Sequence, residues 1–506
     1  MNRRQFIKIT SAGIAVAVTG AVLSKGCSNG GGIGALPGLG HGNGNGNGNG
    51  EPPGPFDPVA FHLDIMEVEH EMIDGTLVYS WAYAVLAEDP ANPGQVTQIP
   101  GIPGPILFVQ EGRPIHLTMR NTLEDRPAGE THGFVIFDAA GLPIVRSLPL
   151  APGQDDTFVI PGTLPPGTYL YQDSENVPVG RVLGLHGVLV VMPRADYPAT
   201  GAAPSHGFTP YGAGASVPIM DLFGDLGNQE LFPGEPWHPN RQMIWIFNEV
   251  DPYYNELAKI QILDQIDFRL NFLPRYFTLN GRSGFFSSEH DGHETTHVPV
   301  DFNRPLSFVL SSQMNTPLIG RFGQPILIRS MNVGLDTVSP HPHGNHSYLL
   351  AADGVPRGLH IGVNGFPIGG MDNAGIWWID TWTLLQGETK DLLYPMTVPP
   401  DIPEETVARM RLGAWGPGNL SGTQDMMALV GGTPQQARFP SHPPGTLNPA
   451  HPPSPEGEFT HLQYPMHSHQ EISQGAAGGN YPMGTVAHII FTGFIDDDNH
   501  QHHHGH

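Results

Sequence analysis

The chain has 506 residues, of which 65 are glycine and 52 proline, and only 14% are charged. This composition favours short strands and turns over long helices, and the length is enough for two or three domains with sizeable cores. A net charge of −25 argues against a nucleic-acid partner, and histidines (26) outnumber lysine plus arginine (23), a bias that points toward metals.

The N-terminus reads MNRRQFIKITSAGIAVAVTGAVLSKGC. Arg3 and Arg4 precede Phe6 and Lys8, and an apolar run from Ile9 to Leu23 follows, too short for a comfortable bilayer span. Residues 1–27 resemble a twin-arginine export signal, a route taken by folded, cofactor-loaded proteins. The expected location is the periplasm, a membrane tether or the outside of the cell. Cys27 is the sole cysteine, so no disulfide within the chain can form and no thiolate metal site exists in the folded region. It is a candidate lipid anchor, the one expected membrane contact, with the Gly/Asn-rich segment 28–55 as a flexible tether.

Residues 56–195 contain PILFVQ, IHLTMRN, THGFVIFD, GTYLYQD and GVLVVMP, separated by turn signals at short intervals. That is the pattern of a β-sandwich. Residues 196–240 are Pro/Gly-rich and read as a connector. A second domain follows over 241–495, with a Pro-rich insertion at about 397–460. HDGHETTH (290–297) reads as a solvated loop. The acidic, His-rich tail 496–506 is expected to be disordered and to bind metals only weakly, because its ligands are not preorganised.

The two domains contain a repeat. GRPIHLTMRN (112–121) and GQPILIRSMN (323–332) share Gly, Pro, Ile and Asn at the same offsets. Eleven residues after Asn121 stands His132, and eleven after Asn332 stands His343, each followed by glycine. On this alignment His341 falls opposite Glu130.

SPHPHGNHSYLLAADG (339–354) places His341 and His343 two residues apart, on one face of an extended strand, with His346 on the other. Late in the second domain YPMHSHQ places His467 and His469 in the same spacing. Two such pairs make two halves of one metal site. Imidazole suits copper, zinc, iron and nickel, so the residues alone do not choose the metal.

With PHPHG, MHSH and the late strand GLHGVLVV, most of 56–495 resembles the multicopper oxidases, which are built from cupredoxin domains. The resemblance implies an all-β fold of two cupredoxin-like Greek-key β-sandwich domains. In that family a trinuclear copper cluster takes four His-x-His pairs, two from the first domain and two from the last. A separate type 1 copper takes a cysteine between two cluster histidines, plus two further histidines. Here PHPHG matches the third pair and MHSH the fourth. The first is reduced to Glu130-Thr131-His132, and the second becomes Gln172-Asp173-Ser174. His186 falls where the late strand often carries an aromatic residue.

The departures are as informative. The type 1 cysteine position is Ser468, the histidine expected three residues before His341 is Val338, and the other falls among Glu471 to Gln474. No type 1 copper is expected, since serine does not replace a thiolate. The resemblance then implies a reduced site at the domain interface, holding one or two copper ions on His132, His341, His343, His467 and His469. Glu130, His186 and His346 are further candidate ligands, and Glu130 and Asp173 candidate proton-handling groups. The implied function is an exported copper-dependent oxidoreductase fed by a small-molecule or metal-ion donor, with O2 or another small oxidant as the acceptor. The alternative is a non-catalytic copper-binding or extracellular structural protein. Both halves of the site lie in one chain, so a monomer suffices.

Overall fold

The computed structural model describes residues 57–88, 96–192, 242–289, 305–313, 315–322, 326–356, 377–396, 462–474 and 484–494. The export signal, the linker, the connector 196–240, the insertion at about 397–460, the HDGHETTH stretch and the tail lie outside them.

The first half supplies β1 (Val59–Glu71), β2 (Leu77–Glu88), β3 (Val96–Gly101), β4 (Ile106–Gln110) and β5 (Ile115–Asn121). It continues with β6 (Val135–Phe137), β7 (Pro143–Arg146), β8 (Asp155–Ile160), β9 (Gly167–Gln172) and β10 (His186–Met192). The second half supplies β11 (Gln242–Val250), β12 (Tyr276–Leu279), β13 (Arg282–Ser283), β14 (Leu306–Val309), β15 (Leu318–Phe322) and β16 (Ile326–Asn332). Then come β17 (Pro340–Pro342), β18 (Ser347–Ala352), β19 (Val355–Pro356), β20 (Trp377–Ile379), β21 (Thr389–Tyr394), β22 (Leu462–Ser468) and β23 (Val486–Phe494).

These strands form four sheets, two to a sandwich. The first sandwich pairs β3-β2-β1-β5-β8 with β14-β4-β10-β9-β6-β7. The second pairs β13-β12-β11-β16-β21-β18-β19, with β20 beside β18, and β15-β23-β22-β17. This is the expected all-β, cupredoxin-like architecture. Strand β5 shows why: its burial alternates from Ile115 through Leu117 and Met119 to Asn121, so one face enters the core and the other faces solvent.

The halves interlock. Strand β14 comes from the second half yet pairs antiparallel with β4, completing a sheet of the first sandwich. The helices Pro252–Leu257 and Gln265–Asn271 also follow β11, but Tyr254, Ala258, Leu263 and Phe268 pack into the first core. Between the sandwiches Arg329, fully buried, donates to Asp391 (3.1 Å) and to Thr168 of the first sandwich (2.6 Å).

The sequence repeat is a structural repeat. Strands β5 and β16 each run parallel to the first strand of their sandwich, with Asn121 opposite Ile65 and Asn332 opposite Phe247. Each asparagine is buried and braces the turn after it. Asn121 accepts from the Leu123 amide (3.1 Å) and donates to the Leu150 carbonyl (2.9 Å). Asn332 accepts from Gly334 (2.9 Å) and donates to Leu384 (3.1 Å).

Candidate metal centre

The two His-x-His pairs meet because β17 and β22 are antiparallel neighbours in exact register, with His341 opposite His467 and Pro340 opposite Ser468. Two flanking bonds extend the ladder: the His343 amide donates to Pro465 and the His469 amide to Ser339, each at 2.9 Å. The period of two turns Pro342, Met466 and Ser468 into the core and the four imidazoles to the outer face.

Ring centroids within the four lie 4.4 Å apart for His341 and His343, 4.6 Å for His341 and His469, 5.1 Å for His467 and His469, and 5.2 Å for His343 and His467. The ligand atoms of His341, His467 and His469 all fall within 4.8 Å of one another. His343 Nε2 faces His467 Nε2 at 3.1 Å. Two imidazole nitrogens that share one ion at about 2.0–2.1 Å stand about 3 Å apart, so this separation fits a common ion.

The rings are also oriented. His341 Nδ1 has three acceptors: the Thr381 hydroxyl at 3.0 Å, and the Asp380 carboxylate and carbonyl at 3.2 Å each. That pattern puts the proton on Nδ1 and leaves Nε2 as the ligand atom. His467 Nδ1 likewise donates to the Ser468 carbonyl at 3.2 Å. Burial, followed by the neighbouring imidazoles, pushes His343 down to about 4, and burial lowers His467 as well. Both are therefore neutral near pH 7, the form that binds a metal. Gly344 sits at φ +93°, where a Cβ would meet the Tyr394 hydroxyl and the Tyr464 ring at 3.0 Å. This explains the glycine after His343: Tyr394 needs that space to donate to the His343 carbonyl (2.7 Å).

His346 is half exposed and reaches Asp380 (3.2 Å), so it touches the carboxylate that orients His341 without joining the four. Asp380 and Thr381 had no signal in the sequence, being some 40 residues from His341 and brought up only by the sheet.

His132 is placed elsewhere, and here the structure corrects the sequence alignment. His132 exchanges both backbone hydrogen bonds with Leu150, while Val338 does so with Leu384. The residue after each, Gly133 or Ser339, donates its amide to Asp173 (2.8 Å) or Ser468 (3.4 Å). His132 is thus the counterpart of Val338, not of His343, and Asp173 is the counterpart of Ser468. The equal offset misled because ten residues separate Asn121 from His132, whereas five separate Asn332 from Val338.

The expected single centre drawing on both domains is therefore divided. His132 is 1% exposed, its Nδ1 is 3.0 Å from Asp173 and its Nε2 is 3.0 Å from Glu130. Glu130 is held by Arg126 through two bonds of 2.9 and 3.1 Å across the turn that joins them. Asp173 also accepts from the Gly133 and Glu175 amides. Its oxygens are thus shared by the His132 ring and these two amides. Burial raises the Glu130 pKa, but hydrogen bonds from His132 and Arg126 outweigh it and hold the carboxyl below its usual range, which does not suit a proton donor near pH 7. His186 is buried in β10 with Nδ1 donating to the Arg181 carbonyl at 2.6 Å, and it joins neither group.

At the other core position, Ser473 donates to Ser468 at 2.8 Å, both are buried, and Val338 lies beside them. Hydroxyls and an alkyl group occupy the ground where the family resemblance would put a thiolate and two imidazoles.

Residues 88–196 match a family model described as multicopper oxidase, which covers most of the first sandwich and none of the four clustered histidines. The matched residues contain GLHGVLVV, one of the motifs that carry the resemblance, but neither PHPHG nor MHSH. No curated protein sequence matches. Among solved structures, the chain is similar to a blue copper oxidase from Nitrosomonas europaea at 13% identity, with 86% of each chain covered and a TM-score of 0.46. A multicopper oxidase named mgLAC aligns at 14% identity over 86% of each chain, with a TM-score of 0.45. A copper nitrite reductase from Nitrosomonas europaea aligns at 13% over 86% of this chain and 94% of that one, with a TM-score of 0.41. Among the described residues no helix is long and apolar enough to cross a membrane.

Proposed function

We propose, from the multicopper oxidase match of the first domain, that this chain is an exported copper-binding oxidoreductase whose centre is made by His341, His343, His467 and His469. The observation that carries the reading is the facing of His343 Nε2 and His467 Nε2 at 3.1 Å, on strands whose register sets His341 opposite His467. The Arg3-Arg4 leader supports export.

A copper ion held there would supply one-electron chemistry and an open position for a small oxidant. The rest is done by this chain's own groups. Thr381 and Asp380 hold the His341 ring with Nε2 toward its neighbours. Burial keeps His343 and His467 neutral and ready to bind. The exposed edge at His469 leaves the centre open to a small-molecule or metal-ion donor. Ser468, Ser473 and Val338 offer no thiolate, so electrons would enter at the histidines directly and the loaded protein would lack an intense blue band.

The Ser473–Ser468 hydrogen bond favours a second reading, a non-catalytic copper-binding protein, because it fills the electron-entry position with a stable packing contact. Copper content and electron paramagnetic resonance of the full chain, beside His343→Ala and His467→Ala, test the centre. Copper on the His-rich tail is common to all three, so the difference reports the centre alone. The expected result is a nitrogen-coupled signal lost in both variants; equal copper and equal spectra would refute the site. Oxygen uptake with phenolic and metal-ion donors then separates the two readings.

A further inference from the structure

The pole of the first sandwich carries an ion site of its own. His132 lies between two carboxylates, each with an oxygen 3.0 Å from a different ring nitrogen. An ionised carboxylate only accepts hydrogen bonds, so each nitrogen facing one must carry a proton. Both carboxylates also accept hydrogen bonds from other groups. Arg126, whose side chain is 2% exposed, grips Glu130 at both oxygens. The Gly133 and Glu175 amides both donate to Asp173. With Arg126 and a protonated His132, two buried cations face two buried carboxylates, and the part-exposed Glu67 also reaches Arg126 at 3.3 Å. With a neutral ring, one carboxylate would face a lone pair in a dry site, which is costly.

From this geometry we infer that His132 is a resident imidazolium that fills the first domain's cation position, so that no metal binds there and the metal centre is complete within the second domain. Burial disfavours the charge, yet the Asp173 and Glu130 carboxylates raise the pKa of His132 to about 9. The ring is further closed in by Trp81, whose ring meets it edge-on at 4.5 Å, and the Arg126 guanidinium lies 5.5 Å from the same indole. Arg126 also donates to the Ala258 and Lys259 carbonyls, so the cation site ties the helical segment after β11 to the first sandwich.

The stoichiometric part of this inference rests on the four-histidine reading; the protonation part does not. Nitrogen-15 NMR of the histidine-labelled, metal-free full chain at pH 8 tests the latter. The expected result is an imidazole with both nitrogens protonated, which shifts in Glu130→Gln. If every histidine shows one deprotonated nitrogen, the inference is overturned, whatever copper does. Copper loading of His132→Gln tests the former. Copper content and resonance spectrum are expected to match wild type, while His343→Ala loses the signal. Loss of copper in a folded His132→Gln protein would make His132 a ligand after all. Should that variant not fold, copper loading of wild type while the His132 signal is followed gives the same answer, because a ligand must lose a ring proton and a resident imidazolium keeps both.

Discussion

Asp173 and Ser468 occupy equivalent places in the two sandwiches. Each accepts an amide from the residue after the bridged position, Gly133 or Ser339. Asp173 faces an imidazole and Ser468 faces the Ser473 hydroxyl. One scaffold position therefore holds a charge pair in the first domain and a neutral hydrogen bond in the second.

Removing Asp173 is expected to hurt more than removing Ser468. Asp173→Ala takes from a buried cation one of its two carboxylates, and from the Gly133 and Glu175 amides their acceptor, at a cost of about 3–5 kcal/mol. Ser468→Ala removes only neutral hydrogen bonds, from the Ser473 hydroxyl and the Ser339 and Gln470 amides, at a cost of about 1–3 kcal/mol. Urea denaturation of the two variants should show the difference as a larger drop in midpoint for Asp173→Ala. Equal drops would mean that Asp173 holds no charge in place.

Gly180 lets the turn after β9 close onto that carboxylate. A Cβ there would lie 2.0 Å from Asp173 Oδ2 and 2.6 Å from its Cβ. Gly180→Ala must push Asp173 away from His132, and overpacking of this kind costs about 1–3 kcal/mol. A melting temperature at or above wild type would show that the contact relaxes freely.

The acid limb of stability should carry the mark of His186. Burial lowers its pKa to about 4, from 6.5 when unfolded. Between those values the unfolded chain binds a proton that the folded chain does not. Stability is therefore full above pH 6.5 and falls as pH drops toward 4. His186→Asn, which keeps a donor for the Arg181 carbonyl, should flatten denaturant midpoints over that window. An unchanged slope would assign the acid limb to other groups.

Glu249 acts in the opposite sense. Burial raises its pKa to about 7, although the Leu335 and Asp336 amides donate to it. The folded chain then holds a proton that the unfolded chain has lost, so this contribution is present below pH 4.5 and declines as pH rises through 7. Glu249→Gln should gain stability relative to wild type as pH rises from 5 to 8. A constant difference across that range would show that Glu249 does not titrate there.

Much of the molecule was legible in the chain itself. Alternating apolar runs determined the sandwiches, because a strand with one buried face must repeat with period two. The repeat marked β5 and β16 as equivalent segments, while their parallel pairing and the bracing by their asparagines came from the fold. The spacing of His341 with His343 and of His467 with His469 determined which rings share a face. The missing Cys and His around Ser468 were visible as residue types. Tertiary structure alone decided what those residues meet. Loop length between Asn121 and His132 is not constrained by strand period, so the offset to His343 matched without a shared place in space. Strand β14 crossing to the first sandwich, Asp380 arriving behind His341, and Asp173 closing on His132 all depend on contacts between residues distant in sequence. A buried charge takes its state from whichever partner reaches it, and only the folded chain brings the carboxylates to both nitrogens of His132.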